Sequence, residues 1–278
     1  MPSDLAASFL ALHQGPEPLL LPNPWDIGSA RLLASLGFRA LATTSGGYAA
    51  SLGRLDGNVT RDEALSHATA IVGATDLPVS ADLEDGFADE PAGIATTVAG
   101  ARAAGLAGCS IEDYQAHPRS DVHTSNGIYD IGLAVERIEA AAEAAHSGGS
   151  GVVLTARAEN FLRGRADLGD TIDRLQRYQD AGADVLYAPG ISDLSEIETL
   201  VRAVDRPVNV LVRPGVAPVA ELARVGVRRI SIGGAFAYAA LGAVTLAARE
   251  LIDHGTYGYL AGAGIGGKAA HAAFGKEA

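Results

Sequence analysis

Lysine is nearly absent from this sequence of 278 residues. The only two lysines are Lys268 and Lys276, both in the Gly/Ala-rich segment at the C-terminal end. Neither position follows a strand-like pattern, so a catalytic lysine that forms a Schiff base from a barrel strand is excluded.

Cysteine, basic charge and long apolar runs are also scarce. Cys109 is the single cysteine, which excludes an intramolecular disulfide and a cysteine-cluster zinc site and suits a reducing cytoplasm, where we expect the protein. The formal net charge of −12 offers no broad basic surface, so nucleic acid is not an expected partner. The sequence lacks the basic start of a signal peptide and a run of roughly 18 apolar residues, which predicts a soluble protein without a membrane partner.

The hydrophobic content of 48% is enough for one large core in a chain of this length. We therefore predict a single domain over residues 1–278. Within it we expect an amphipathic N-terminal helix at residues 1–17 and a C-terminal tail at residues 253–278 that makes subunit contacts.

Short apolar or β-branched runs alternate with Ala/Leu/Arg/Glu-rich segments of helical period, the pattern of repeated βα units. Glycines close several of the helical segments, as expected for left-handed helix ends. About eight strands are predicted, at residues 19–21, 37–42, 78–82, 105–111, 152–157, 182–187, 208–212 and 226–232. A count near eight at this length favours an α/β fold of the closed (β/α)8 TIM barrel type.

An open, doubly wound sheet is the alternative, but it would carry a phosphate-binding glycine loop after its first strand. The first strand leads instead into Pro22-Asn-Pro-Trp-Asp. A GxGxxG match occurs at residues 262–267, where no strand precedes it, so we do not expect a nucleotide there.

Acidic side chains follow two neighbouring predicted strands. Asp82 and Glu84 are two residues apart, so an extended backbone would place both on one face, with Glu112 beside them from the next strand. Oxygen ligands of this kind suit Mg²⁺, with Mn²⁺ as a second possibility, and leave positions for a chelating 2-oxo acid. The alternative is a solvated acidic turn.

Two further segments suggest a site for a small carboxylate. Arg157 ends an apolar run and is suited to hold a carboxylate, or alternatively to form an ion pair within the acidic cluster. Ser45, Gly46 and Gly47 leave a strand with little side-chain bulk, which lets backbone N–H groups approach an anion, although the glycines could simply form the turn. We also assign Asn209, on a later strand, to substrate binding.

The polar segment at residues 114–127 has the length of a lid or binding loop. His117, Arg119 and His123 lie in it, and each is either a site residue or, more simply, a surface residue.

At these residues the sequence resembles the isocitrate lyase/phosphoenolpyruvate mutase (PEP mutase) superfamily, from about Leu20 to the last predicted strand. The motifs agree in order and spacing. They are Ser45 to Gly47, Asp56 after it, Asp82-Leu-Glu84-Asp-Gly-Phe-Ala, Ile111-Glu-Asp113 and Ala156-Arg-Ala-Glu159.

The resemblance implies Mg²⁺ held directly by Asp82 and partly through water by Glu84 and Glu112. It implies a small 2-oxo or 2-hydroxy carboxylate bound by the metal, Ser45, Gly46 and Arg157, with a pyruvate-type enolate stabilised by the metal as the shared intermediate. The implied catalytic residues are Asp56, for proton movement, together with Arg157 and Glu112. It also implies a homotetramer in which the last helix is swapped between subunits.

The sequence departs from the superfamily's isocitrate and methylisocitrate lyases in the predicted lid, where His117-Pro-Arg-Ser-Asp replaces their Lys-(Lys/Arg)-Cys-Gly-His. Three hypotheses follow. The first is Mg²⁺-dependent C–C cleavage by a lyase, decarboxylase or acyl hydrolase. The second is P–C bond chemistry by a mutase or hydrolase, with Arg119 or His117 in place of the family's lysine, and the third is a non-catalytic 2-oxo acid binding protein.

Overall fold

The computed structural model describes residues 5–115, 124–148 and 151–275. An eight-stranded parallel sheet curls into a nearly closed barrel with helices around it, which confirms the predicted (β/α)8 fold. Its strands, in spatial order, are β1 (Leu19–Leu21), β10 (Arg229–Ser231), β9 (Val208–Leu211), β8 (Val185–Tyr187), β7 (Val153–Arg157), β4 (Gly108–Glu112), β3 (Val79–Asp82) and β2 (Leu41–Ala42). A short antiparallel hairpin, β5 (Thr124–Ser125) and β6 (Ile128–Tyr129), lies outside the barrel sheet.

The helices follow the strands in sequence, as the alternating pattern predicts. They are α1 (Leu5–Leu12), α2 (Ile27–Ser35), α3 (Ser45–Ser51), α4 (Arg61–Val72), α5 (Pro91–Ala103), α6 (Ile131–His146), α7 (Leu168–Asp180), α8 (Leu194–Ala203), α9 (Val219–Arg224), α10 (Ala235–His254) and α11 (Leu260–Phe274). Asp26 and Thr60 begin α2 and α4 with capping boxes, which satisfy backbone N–H groups that a helix start leaves open.

The barrel closes between its first two strands. The Ala42 N–H donates to the Pro22 carbonyl at 3.0 Å. The Asn23 side chain reinforces this closure by donating to the Thr43 carbonyl at 2.9 Å and accepting from the N–H groups of Ile232 and Gly233. One buried side chain thus joins the carboxyl ends of β1, β2 and β10, where a barrel active site is expected.

The opposite end of the barrel is sealed by α1. Phe9 is fully buried there, and a Cβ placed on Gly108 would lie 2.8 Å from its ring. Phe9 therefore packs directly against the backbone of β4. The N-terminal helix predicted at residues 1–17 ends earlier than predicted, at Leu12. Gly15 and the two prolines that follow it do not continue a helix.

The segment that we predict as a C-terminal tail from residue 253 contains helix α11, and its subunit contacts stay a prediction. The GxGxxG match lies inside α11, so it forms no phosphate loop. This helix packs against α2 of the same chain. Ala237 is the one buried residue of α10, whose other apolar side chains are exposed or half-buried.

In the part of the chain that the structure describes, α10 is the one helix that is long and apolar enough to cross a membrane. The criterion is length and composition alone, and a single such helix is weak evidence for a span. The expected absence of a membrane partner and the cytoplasmic location stay predictions.

Candidate active site

Two adjoining cavities open at the carboxyl ends of the strands, of about 220 Å³ and about 200 Å³. Ser45, Asp56 and Arg157 line both. The larger cavity extends into the barrel between small side chains of the strands, and the smaller one lies beside Glu84 and Glu112. The structure therefore brings together most of the site residues predicted from the sequence.

The Ser-Gly-Gly segment is the first turn of α3. Thr44 is the N-cap, and its side chain accepts from the Gly47 N–H at 3.3 Å. A Cβ on Gly47 would lie 2.5 Å from the Thr44 methyl carbon, so glycine is needed for this close approach. The first N–H groups of a helix have no partner within the helix: the Ser45 N–H donates to the Asp82 carboxylate at 3.2 Å, and Gly46 lines the larger cavity.

The prediction that an extended backbone places Asp82 and Glu84 on one face is wrong. Strand β3 ends at Asp82, and Glu84 has a φ of 49°, so the backbone between them is not extended. Glu84 nevertheless reaches the smaller cavity together with Glu112, whose N–H donates to the Glu84 carbonyl at 2.9 Å. The buried Arg137 side chain holds this turn by donating to the backbone carbonyls of Asp85, Ala88 and Asp89.

Arg157 forms ion pairs within the acidic cluster, which is the alternative to carboxylate binding that the sequence left open. Its Nη1 lies 3.0 Å from Glu112 and 3.8 Å from Asp82, while its Nε contacts Glu159. Burial raises the pKa of Glu112 well above its usual range, against the effect of Arg157. Burial lowers the pKa of Arg157, but Glu112 and Glu159 raise it more, so the guanidinium stays charged.

The carboxylates of this cluster provide only oxygen donors. In the described residues, no group of three His, Cys, Asp or Glu side chains is placed to hold a metal ion. Mg²⁺ does not require such a group, because it commonly binds one or two carboxylates and keeps waters or substrate oxygens for the rest. The donor chemistry of Asp82, Glu84 and Glu112 therefore fits Mg²⁺ or Mn²⁺ at the join of the two cavities.

Comparison with known proteins decides the family. The model of the phosphoenolpyruvate phosphomutase family matches residues 9–252. The chain belongs to this family. The predicted place in the isocitrate lyase/PEP mutase superfamily is confirmed.

Three relatives illustrate the similarity. A crystal structure of a Burkholderia cenocepacia protein, provisionally named a lyase/mutase, has 51% identity and a TM-score of 0.87, and the match covers 92% of this chain and 91% of that one. An uncharacterized protein of Mycobacterium tuberculosis is 38% identical over 88% of this chain and 89% of its own length. An oxaloacetate decarboxylase of Chromohalobacter salexigens is 30% identical over 90% of this chain and 86% of its own length.

The family's members are enzymes that act on small carboxylates, and they include lyases, oxaloacetate acetylhydrolase and PEP mutase. Superfamily lyases generally depend on a divalent metal. The site described above therefore lies where a family of this chemistry needs it, at the carboxyl ends of the barrel strands.

Asp56 is exposed at the rim and lines both cavities. A Cβ on Gly46 would lie 3.3 Å from an Asp56 oxygen and 3.1 Å from the Tyr238 hydroxyl. Tyr238, at the start of α10, was missed from the sequence. No local motif marks it, because it reaches the cavity from a helix that follows the last strand.

Asn209 is buried and does not line either cavity. Its amide donates to Ser231 at 2.9 Å, and its Oδ1 accepts from Arg229 Nε at 3.0 Å. The structure thus gives Asn209 a role in orienting Arg229, and its direct contact with substrate stays a prediction. Arg229 lines the larger cavity and was missed, although its alternation with the outward-facing Ile230 was the available signal.

Part of the predicted lid lies outside the described residues. His117, Arg119 and His123 belong to that part. On its N-terminal side, Tyr114 bridges to Ile128, and the Arg163 guanidinium lies 3.4 Å from the centre of the Tyr114 ring. Arg163 also pairs with Glu159 at 3.1 Å, which places a second cation beside the smaller cavity. Cys109 is fully buried, and burial raises the pKa of its thiol to about 12, so the thiol stays protonated at neutral pH and is not a nucleophile.

Proposed function

We propose that this protein is a Mg²⁺-dependent enzyme that cleaves a C–C bond in a small 2-oxo or 2-hydroxy di-acid, as a lyase, decarboxylase or acyl hydrolase. The observation that carries the proposal is the meeting of Ser45, Asp82 and Arg157 in one cavity beside Glu84 and Glu112. This set combines an oxygen donor site for a cation with a cationic and N–H lined site for a carboxylate.

Asp82, with Glu84 and Glu112, would hold the metal. A bound Mg²⁺ supplies positive charge that stabilises negative charge developing on a substrate oxygen. Arg157 and the first turn of α3 bind and orient the substrate carboxylate, so that the scissile bond lies in the larger cavity.

In decarboxylation of a 2-oxo di-acid, CO₂ leaves and the electron pair stays on the 2-oxo acid fragment. In retro-aldol cleavage of a 2-hydroxy di-acid, the hydroxyl loses its proton and becomes the carbonyl of the 2-oxo acid, and the electron pair goes to the other acid fragment. In either case the fragment that keeps the electron pair must take up a proton. Asp56 lines both cavities, and the Tyr238 hydroxyl lies near the same edge of Gly46. We assign the proton movement to Asp56, with Tyr238 as a neighbouring hydroxyl that can hydrogen-bond to the departing fragment.

The test is a lactate dehydrogenase-coupled assay for released pyruvate or glyoxylate. The panel is oxaloacetate, substituted malates, isocitrate, methylisocitrate and phosphonopyruvate, each with Mg²⁺ and with EDTA, and oxaloacetate has a no-enzyme control. An EDTA-sensitive signal confined to a C–C substrate is the expected result.

A signal from phosphonopyruvate with release of phosphate would instead select P–C chemistry, which the phosphoenolpyruvate phosphomutase description of the family model favours as the second candidate. Silence over the whole panel would overturn a reaction that releases pyruvate or glyoxylate. An acyl hydrolase releases neither from oxaloacetate, so loss of oxaloacetate with formation of oxalate is measured separately. Silence in both assays, with tight binding of a 2-oxo acid, would overturn catalysis in favour of a binding protein.

The subunit arrangement belongs to the same proposal. Apolar side chains such as Leu241, Val244, Leu246, Ile252 and Ile265 are exposed on α10 and α11. We propose that these helices form subunit contacts in a homo-oligomer, a tetramer by resemblance, because a helix that exposes apolar side chains on all sides is typical of one that is covered by another subunit. Light scattering after size-exclusion chromatography gives the mass, and a monomer would overturn the proposal.

A further inference from the structure

A buried arginine lies inside the barrel beneath the larger cavity. The Arg229 guanidinium donates to Asn209 Oδ1 through Nε and to Thr155 Oγ1 through Nη1, both at 3.0 Å. The residue is 4% exposed. Both partners are neutral, so these hydrogen bonds orient the guanidinium without balancing its charge.

No carboxylate of the described residues lies within ion-pair distance of Arg229. Asp82, which lines the same cavity, is paired with Arg157, as are Glu112 and Glu159, and Glu159 also pairs with Arg163. Burial lowers the pKa of Arg229 to about 10, which still leaves it charged at neutral pH. An uncompensated buried charge is costly, and proteins usually keep one only where a partner of opposite charge can reach it.

The guanidinium faces the substrate cavity. Arg229 lines the larger cavity together with the small residues Ser80, Ser110 and Ser231. Its partner Thr155 precedes Arg157 by two residues on β7, a step of about 6.6 Å along a strand. Arg157 therefore borders this cavity at its mouth and Arg229 at its floor, and within the described ranges no acid pairs with Arg229.

We propose that Arg229 binds the second carboxylate of a short-chain dicarboxylate substrate that lies along the barrel axis. The inference deepens the proposed function and rests on it for the first carboxylate, which Arg157 and Ser45 hold. The Nη2 group has no hydrogen-bond partner among the described residues and is free to donate to this carboxylate. The inference thereby assigns the second carboxylate of the proposed di-acid to a named residue of this chain.

The test measures binding rather than turnover, by isothermal titration calorimetry of the full chain with Mg²⁺ at constant ionic strength. The probes are L-malate and (S)-2-hydroxybutyrate, which differ in one carboxylate against one methyl group. The wild type is expected to bind malate about 10- to 100-fold more tightly, the range for a charge-assisted hydrogen bond. Arg229→Met should reduce this ratio to near one while leaving the affinity for 2-hydroxybutyrate unchanged.

Arg228→Met is the matched control, because Arg228 is the preceding residue and donates to the Gly15 carbonyl at the other end of the barrel. It should keep the wild-type ratio. If Arg229→Met does not fold, Asn209→Asp serves instead, since it places a carboxylate against Arg229 Nε and neutralises the charge within the barrel. The ratio should again fall.

An unchanged ratio in Arg229→Met, or an equal loss of both ligands, would overturn the inference and leave Arg229 as a structural residue. Stabilisation of the wild type by chloride to the same extent as by malate would overturn it too, since the floor would then bind any anion. The outcome is separable from that of the proposed function: malate discrimination with a silent activity panel would sink the reaction and keep the dicarboxylate site.

Discussion

Ser45 holds one oxygen of Asp82 by two hydrogen bonds. Its Oγ donates to Asp82 Oδ2 at 2.9 Å, and its backbone N–H donates to the same oxygen at 3.2 Å. The first turn of α3 is thereby fixed to the end of β3, so the carboxylate site and the proposed metal donor share one hydrogen-bonded unit.

Ser45→Ala should therefore weaken the site without unfolding the protein. Loss of a hydroxyl that bonds to a carboxylate is expected to lower kcat/KM by about 10-fold, with a change in the free energy of unfolding below about 1 kcal/mol. Steady-state kinetics and urea denaturation measure the two quantities. Ser51→Ala, on the same helix, removes an exposed hydroxyl that bonds to the Tyr48 carbonyl and is the control; equal losses in both variants would contradict the prediction.

Metal binding can be measured without any substrate. Mg²⁺ at about 100 times its dissociation constant should stabilise the wild type by about 2.7 kcal/mol, raising its Tm, and Asp82→Asn should lose this gain. Differential scanning calorimetry with Mg²⁺ and with EDTA gives both values. Asp62→Asn changes a carboxyl whose side chain is 88% exposed on α4 and should respond as the wild type does. A Tm gain that survives in Asp82→Asn would place the metal elsewhere.

Two arginines of α7 allow the contribution of a buried ion pair to the free energy of unfolding to be compared with that of an exposed one. Arg174 bonds to the buried Asp113 at 3.1 Å, whereas Arg177 pairs with the exposed Asp173 at 2.9 Å. Arg174→Met leaves a buried carboxylate without its cation and should cost about 3–5 kcal/mol. Arg177→Met should cost less than about 0.5 kcal/mol. Chemical denaturation that finds similar losses would show that Asp113 does not need the charge.

His13 should make stability depend on pH. It is 1% exposed beneath the barrel, where burial and then the charge of Arg229 lower its pKa from 6.5 to about 4. Between pH 6.5 and 4, His13 is therefore protonated in the unfolded state and mostly neutral in the folded state. Stability is unaffected above pH 6.5 and falls as the pH drops towards 4, by about 3 kcal/mol at about 1.4 kcal/mol per pKa unit.

The comparison that isolates this effect is His13→Gln, which has no titrating group at the site and should show a shallower decline between pH 6.5 and 4. His254→Gln, on the exposed end of α10, should behave as the wild type. His13 lines a cavity at the amino end of the barrel strands, and the other charged residues of that cavity are present in both variants: Asp184, Asp205, Arg206 and Arg228. Parallel stability profiles for His13→Gln and the wild type would refute the assignment.

The barrel was predictable because its signals are local and repeated. Eight apolar runs that alternate with helical segments leave few alternatives, and each predicted strand is present, although β2 is only Leu41–Ala42. Helix limits were less predictable: the end of α1 depends on Gly15 and the following prolines, and α11 forms despite its glycines.

The site was predictable to the extent that it follows strand ends. Ser45, Asp82 and Arg157 converge as expected, because parallel strands bring their carboxyl ends to one edge. Glu84 arrives through a left-handed turn that extended-strand reasoning cannot supply. Arg229 lies on the inside of a strand, which its alternation with Ile230 could have indicated, whereas Tyr238 reaches the cavity from a late helix and only the three-dimensional closure of the barrel shows this.

The interior of this barrel also limits the length of the ligand that it can hold. Barrel cores are usually filled by bulky branched side chains, but here Ala42, Ser80 and Ser110 leave the axis open above Arg229. The length of ligand that fits is then set by how far these three side chains project into the cavity. A single added methyl group on one of them would shorten the longest ligand that fits. Relatives with larger residues at these positions would accept shorter acids while keeping the same chemistry at the mouth.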